Sequence, residues 1–259
     1  MDQILRDRND GGVLLITFNR PDVLNACSPE MEGEYYALLG AAEADPRTRV
    51  VVVTGAGRGF CSGADIRGTV EDLMRDGAPL PERSEQSYPP VMAKPVIAAV
   101  NGACAGLGLA FALHADIRFV AQEAKLTTAF VRRGLIAEHG VSWLLQRTVG
   151  RGRALDLLLS GRVFTGTDAG AWGLADFVLP ASEVLEAALA YARELATLCS
   201  PRALATIKRQ FLTEDASGPF DALLAADDAT RESFTWPDLI EGITAWQERR
   251  PPRFPGYPP

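Results

Sequence analysis

The chain has few cysteines and histidines, and it contains no long uninterrupted apolar run. Its two histidines, His114 and His139, are too few for most metal sites, and its four cysteines lack the close pairs of a zinc site. No apolar run reaches the roughly 18 residues that a membrane-spanning helix requires. Residues 1–10 carry no apolar stretch that could direct secretion. We therefore expect no metal, no membrane, and a reduced cytoplasmic protein with free thiols.

A surplus of positive charge is also absent. The 26 basic residues face 33 acidic ones, which gives a net charge of −7, and no run of like charge is long. We therefore expect no nucleic-acid partner, because proteins that bind nucleic acid present clustered basic residues to the phosphates. The 259 residues, 47% of them hydrophobic, suit one large globular domain or a core with a small appendage.

Strand and helix signals alternate along the first two thirds of the chain. Val50–Thr54 and Val96–Val100 are continuous apolar runs typical of strands buried on both faces. The run Ser28-Pro29-Glu30 predicts a helix start. Ser28 offers a capping hydroxyl, Pro29 has the φ of a first helical turn, and the negative charge of Glu30 suits the positive end of the helix dipole. From about Ala181 the pattern is almost entirely helical. These signals predict an α/β fold made of successive strand-turn-helix units.

Two glycine-rich segments are the most informative feature. They are Gly55–Ile66 (GAGRGFCSGADI) and Asn101–Asp116 (NGACAGLGLAFALHAD), and each follows an apolar strand and is expected to open a helix. Such turns expose backbone N–H groups toward one pocket. The pair therefore predicts an oxyanion hole. Between the two, the five prolines of Ala78–Pro95 predict an irregular surface segment over the pocket.

Several short motifs resemble those of the crotonase, or enoyl-CoA hydratase/isomerase, family, and they extend over nearly the whole chain. They are Asn19-Arg20-Pro21 with Asn25-Ala26, Ser62–Ile66, Lys94–Gly102, Ala115–Arg118, Gly161-Arg162 and Glu241–Ile243. The resemblance implies a crotonase-like spiral of repeated ββα units over residues 1–195, which holds a pocket for a coenzyme A thioester. It also implies a helical region over 196–259 that closes the pocket and builds a trimer or a dimer of trimers. Coenzyme A would be part of the substrate, with no permanently bound cofactor.

The resemblance also assigns candidate oxyanion donors. In this family the thioester oxygen becomes negative as an enolate forms, and two backbone N–H groups stabilise it. The matching positions are Ala64 and Leu107. Leu107 departs from the glycine that often stands there, but a backbone N–H does not depend on its side chain.

Proton transfer has one candidate carboxylate. The two glutamates of the hydratase members fall on Ala110 and Phe130, neither of which can move a proton. Other branches, including some enoyl-CoA isomerases and a dehalogenase, place their essential carboxylate at the position of Glu138. We expect Glu138 to be catalytic, and His139 to bond to it or to the substrate. The alternatives are that Glu138 caps the helix starting near Val141, and that His139 is merely solvated or structural.

Coenzyme A contacts follow from the same resemblance. Leu24, Asp65 and Ile66 match segments that cradle the adenine. Arg67 could bind a phosphate, as could Arg249 presented by a neighbouring subunit, because a guanidinium suits phosphate oxygens.

Three functions fit these residues. The first is enoyl-CoA isomerase-like proton transfer by Glu138, which needs no activated water. The second is hydration of an enoyl-CoA by Glu138, with or without His139, and its weakness is the missing glutamate pair. The third is a catalytically silent acyl-CoA-binding protein.

Overall fold

A computed structural model of the chain describes residues 2–8, 11–65, 87–214 and 218–257.

The first helix shows how the local sequence determines where an element begins. Helix α1 (Pro29–Ala44) begins at the predicted position, and the Ser28 side chain accepts a hydrogen bond from the Met31 N–H at 3.2 Å. The predicted N-terminal cap is therefore confirmed.

The remaining elements are a mixture of strands and helices up to residue 179, and those described beyond it are helices. The strands are β1 (Ile4–Arg8), β2 (Val13–Phe18), β3 (Val50–Gly55), β4 (Gly59–Cys61), β5 (Val96–Val100), β6 (Ala103–Ala105), β7 (Ile117–Ala121), β8 (Lys125–Thr127), β9 (Phe164–Thr165) and β10 (Phe177–Leu179). The helices after α1 are α2 (Leu107–His114), α3 (Val141–Val149), α4 (Arg151–Ser160), α5 (Gly166–Ala171), α6 (Ala181–Leu198), α7 (Pro201–Glu214), α8 (Pro219–Ser233) and α9 (Pro237–Glu248).

The larger sheet has six strands in the order β1-β2-β3-β5-β7-β10. Strand β1 runs antiparallel to β2, and the other neighbours are parallel, with Val51 opposite Val96 where β3 meets β5. Every residue of β3 and β5 is buried, as the two apolar runs predict. Helix α6 packs on this sheet through a stripe of buried small residues, namely Val184, Ala188, Ala192 and Ala196. It runs through the predicted domain boundary at residue 195.

The smaller sheet has four strands in the order β4-β6-β8-β9. Its strands are only two or three residues long, and β4 and β6 interrupt the two glycine-rich segments. Strands β4 and β6 pair in parallel, with Gly59 opposite Ala103 and Cys61 opposite Cys104. This sheet therefore brings the two glycine-rich segments side by side.

The proline-rich segment differs from its prediction. Residues 78–86 lie outside the described residues, but in residues 87–95 the side chains of Ser87, Met92 and Lys94 are buried. The Lys94 ammonium donates hydrogen bonds of 2.6 Å to the carbonyls of Ala42 and Asp45. A cation is favourable at this C-terminal end of α1 because of the helix dipole. The backbone here is irregular, as predicted, but this half belongs to the interior and not to the surface.

The helical C-terminal region is tied to the core by Lys208 of α7. Its ammonium lies 2.7 Å from an Asp116 carboxylate oxygen and also donates to the carbonyls of Pro89 and Lys94. Burial raises the pKa of Asp116, although Lys208 pulls it down. Among the described residues, no helix is long and apolar enough to cross a membrane.

Candidate active site

The two glycine-rich segments touch at their glycines. A Cβ added to Gly108 would lie 2.1 Å from the carbonyl oxygen of Cys61, and one added to Gly63 would lie 4.0 Å from the Leu107 nitrogen. Gly106 has a φ of +51°, a left-handed conformation that suits glycine, and it precedes the first residue of α2. The backbones of the two segments therefore pack closely, and this packing places Leu107 next to Gly63.

Ala64 and Leu107 each present a backbone N–H to this junction. Ala64 forms a parallel bridge with Cys27, in which Cys27 donates to the Gly63 carbonyl and Asp65 donates to the Cys27 carbonyl, both at 2.8 Å. That pattern turns the N–H of Ala64 away from Cys27. Leu107 is the first residue of α2, so its N–H has no acceptor within the helix. Within the described residues neither N–H donates a hydrogen bond.

The side chains at two positions that follow Gly106 are apolar. Ala110 and Phe130 are both buried, and the Phe130 ring comes within 3.9 Å of where a Gly106 Cβ would lie. At the two positions that the resemblance assigns to the hydratase glutamates, this chain therefore carries no carboxylate.

Glu138 lies in the segment between the short 3-10 helix Phe130–Arg133 and α3. Its side chain is half-buried, and its backbone carbonyl accepts a hydrogen bond from Val141 at 3.0 Å. The residue at the cap position of α3 is Gly140, which offers no side-chain cap. Glu138 thus lies two residues before the N-cap of α3, so both its catalytic role and its alternative role as a charge at the start of this helix stay predictions.

His139 is an internal residue. Its side chain is only 9% exposed, and Nδ1 lies 3.9 Å from a carboxylate oxygen of Glu32 in α1. Its backbone carbonyl accepts a 2.8 Å hydrogen bond from Nε2 of His114, the buried last residue of α2. Because a carbonyl can only accept, the His114 proton is on Nε2. The His139 side chain is therefore not solvated, and its structural role and its contact with Glu138 or the substrate both stay predictions.

The predicted coenzyme A segments lie together in part. The Leu24 carbonyl accepts from Ser62 at 3.0 Å, and the Arg20 guanidinium lies 2.8 Å from the Asp65 carboxylate. Leu24 and Asp65 are thus held on the same side of the first glycine-rich segment. Ile66 and Arg67 lie outside the described residues. Arg249 is exposed where α9 ends and has a φ of +54°.

Glu32 is the residue at this site that sequence reasoning missed. The residue as a whole is 8% exposed, and it shares a buried helix face with Met31, Tyr35 and Leu39. A carboxylate within an otherwise apolar face of a helix was the one available signal. Its neighbour His139 lies more than 100 residues further along the chain, so the sequence spacing does not predict the contact. In the part of the chain that the structure describes, no group of three or more His, Cys, Asp or Glu side chains could hold a metal ion.

Known proteins resemble this chain over its whole length. A sequence model of the enoyl-CoA hydratase/isomerase family matches residues 8–257. A 1,2-epoxyphenylacetyl-CoA isomerase from Escherichia coli (strain K12) is 34% identical over 263 residues, covering 99% of this chain and 100% of that relative.

Solved structures agree with this assignment. A "probable enoyl-CoA hydratase/isomerase" from Mycobacterium abscessus superimposes with a TM-score of 0.90 at 34% identity, over 98% of this chain and 99% of that one. An enoyl-CoA hydratase from Bacillus anthracis gives a TM-score of 0.88 at 28% identity, over 99% and 100% of the two chains. The resemblance and the fold class are thereby confirmed: the chain is an enzyme of the enoyl-CoA hydratase/isomerase, or crotonase, family and has that family's fold.

Proposed function

We propose that the protein isomerises an unsaturated acyl-CoA thioester by moving a proton with the single carboxylate of Glu138. One observation carries the proposal. The backbone N–H groups of Ala64 and Leu107 donate to no acceptor among the described residues. Of the three positions where the family resemblance places carboxylates, only Glu138, which is half-buried, carries one, and Ala110 and Phe130 are apolar. This set of groups can stabilise an enolate and carry one proton, but it lacks a second carboxylate at the usual positions for holding water.

The reaction needs three steps. Glu138 removes a proton from C2 of a 3-enoyl thioester, and the electron pair moves onto the thioester oxygen. The N–H groups of Ala64 and Leu107 hold the resulting dienolate, and each such donor contributes about 100- to 1000-fold in rate. The protonated Glu138 then delivers a proton to C4, so that the double bond ends between C2 and C3. In heavy water the carboxyl proton of Glu138 exchanges with solvent in competition with this delivery. Atoms and charge balance without any co-reactant.

Coenzyme A would lie along Leu24 and Asp65, with Ile66 and Arg67 continuing the same segment. Because the Asp65 carboxylate is paired with Arg20, Asp65 would contact the adenine through its backbone. Arg249 of a neighbouring subunit would supply charge to a phosphate. Coenzyme A would arrive and leave as part of the thioester.

Hydration is the second candidate function. It is favoured by the similarity to the Bacillus anthracis structure, which is described as an enoyl-CoA hydratase. The Escherichia coli relative, described as a 1,2-epoxyphenylacetyl-CoA isomerase, favours isomerisation instead. The apolar side chains of Ala110 and Phe130 support isomerisation, because neither can orient or deprotonate a water molecule and hydration would depend on Glu138, with or without His139.

The test is mass spectrometry of a small panel of 2-enoyl- and 3-enoyl-CoA thioesters incubated with the protein in heavy water. We expect the double bond to move and deuterium to enter at C2 or C4. Addition of water would instead identify a hydratase. Thioesters that bind but return unchanged and without deuterium would support the silent acyl-CoA-binding protein.

A further inference from the structure

We infer that Glu32 is a positioning residue for Glu138, and that it acts by pairing with His139. The inference rests on the proposed function, because it concerns how the proposed base is held. Glu32 and His139 approach to 3.9 Å, with side chains that are 11% and 9% exposed. A polar side chain is costly to bury away from other polar groups, so this approach favours both side chains where they are.

Two groups lie within reach of the Glu32 carboxylate, the His139 imidazole and the Cys61 thiol. The carboxylate faces His139, the neighbour of Glu138. Its charge reaches Cys61, at the end of β4: burial raises the pKa of that thiol to about 12, and the Glu32 carboxylate acts in the same direction. The carbonyl of Cys61 is the atom against which Gly108 packs. Glu32 therefore lies close to the segment that follows Glu138, and its charge also reaches the end of β4.

The segment that follows Glu138 needs support from the core because the backbone of His139 is strained. His139 has a φ of +54° and Gly140 a φ of +70°. A residue with a Cβ adopts the left-handed region at a cost in free energy, and it stays there only where the surroundings hold it.

Three contacts hold this segment from the side of the core. Glu32 faces the His139 side chain, and His114 donates to the His139 carbonyl. Tyr88 packs its ring edge-on to His114, with centroids 4.7 Å apart, and its hydroxyl lies 3.3 Å from where a Gly140 Cβ would be. Since Glu138 immediately precedes this segment, these contacts set the direction from which its carboxylate leaves the backbone.

The first test compares Glu32→Gln with Glu34→Gln, a control on an exposed position of the same helix. Heavy-water exchange at C2 of an enoyl-CoA is measured over a range of thioester concentrations. A misdirected base is expected to lower kcat about 10- to 100-fold in Glu32→Gln with KM nearly unchanged. Glu34→Gln should match wild type. Unchanged kcat in Glu32→Gln would overturn the inference.

A second variant keeps the test decisive if Glu32→Gln folds poorly. His139→Gly removes the paired side chain, and the relief of the left-handed strain offsets part of the stability lost with this largely buried imidazole. We expect its kcat to fall as in Glu32→Gln. A His139→Gly protein that keeps wild-type kcat would show that the pair does not position Glu138.

Failure of the inference is distinguishable from failure of the proposed function. If Glu138→Gln keeps full exchange, the proposed function fails. If Glu138→Gln abolishes exchange and Glu32→Gln does not affect it, only the inference fails. An independent readout is the nitrogen NMR spectrum of the imidazoles, which contains signals from two histidines only. Glu32→Gln should shift the signal of His139 more than that of His114, and the reverse would contradict the pairing.

Discussion

At the scale of single residues, Gly108 sets how closely the two glycine-rich segments approach. It lies inside α2, where alanine is normally the better residue. Here a methyl group would lie 2.1 Å from the backbone oxygen of Cys61, so one of the two segments would have to move. We predict that Gly108→Ala lowers the free energy of unfolding by about 1–3 kcal/mol, as overpacking does. Denaturant unfolding followed by tryptophan fluorescence measures the change.

Gly33 provides the matched control, because it also lies within a helix but has no atom within 4 Å of an added Cβ. Gly33→Ala should raise the free energy of unfolding by roughly 0.5–1 kcal/mol. If both substitutions stabilise the protein equally, close packing between the glycine-rich segments is not what selects Gly108.

At the scale of elements, an ion pair fastens the end of α9. Arg250 approaches the Glu241 carboxylate to 2.7 Å, and the Arg253 N–H also donates to it. Both contacts hold the pKa of Glu241 at about 2, below its ordinary value of 4.5. Because the folded-state pKa is the lower one, the stabilisation is complete above the ordinary pKa and is lost as pH falls toward the folded-state value.

We therefore predict that Glu241→Gln flattens the acid limb of thermal stability. Between about pH 5 and pH 3, the melting temperature of wild type should fall more steeply than that of Glu241→Gln. Glu34→Gln, which alters an exposed residue of α1, should keep the wild-type slope. Identical slopes for all three proteins would show that the ion pair does not persist in solution.

The elements also show what local sequence can and cannot predict. Strand β3 and the start of α1 were predictable because apolar periodicity and helix capping act over a few neighbouring residues. The smaller sheet was not, because strands of two or three residues are too short to show a period. The contact between Glu32 and His139 depends on the tertiary fold, and so does the burial of Lys94 within a proline-rich segment. The family resemblance, not periodicity, led to Ala64, Leu107 and Glu138.

At the scale of the whole molecule, the helical C-terminal region has an apolar surface that a monomer would leave in water. Its most exposed large side chains are Phe211, Phe220, Phe234, Ile240 and Trp246, the last of them 80% exposed. Apolar surfaces of this kind mark protein contacts. We propose that they pack between subunits in a trimer or a dimer of trimers.

The corresponding variant is Trp246→Glu, which would place a charge inside such an interface. Light scattering after size exclusion should give wild type a mass of three or six times the 27.8 kDa chain, and the variant a smaller one. Gln247→Glu, on the neighbouring exposed position of α9, should leave the mass unchanged. A monomeric wild-type protein would contradict the proposed assembly.

The most direct test of the account compares Glu138→Gln with wild type in heavy water, using a 3-enoyl-CoA thioester at saturating concentration. The amide keeps the size of the side chain but cannot accept the C2 proton. General bases contribute about 100- to 10,000-fold, so deuterium uptake and double-bond movement should fall by at least 100-fold while the thioester still binds. If Glu138→Gln exchanges and isomerises at the wild-type rate, Glu138 is not the base and the proposed mechanism is wrong.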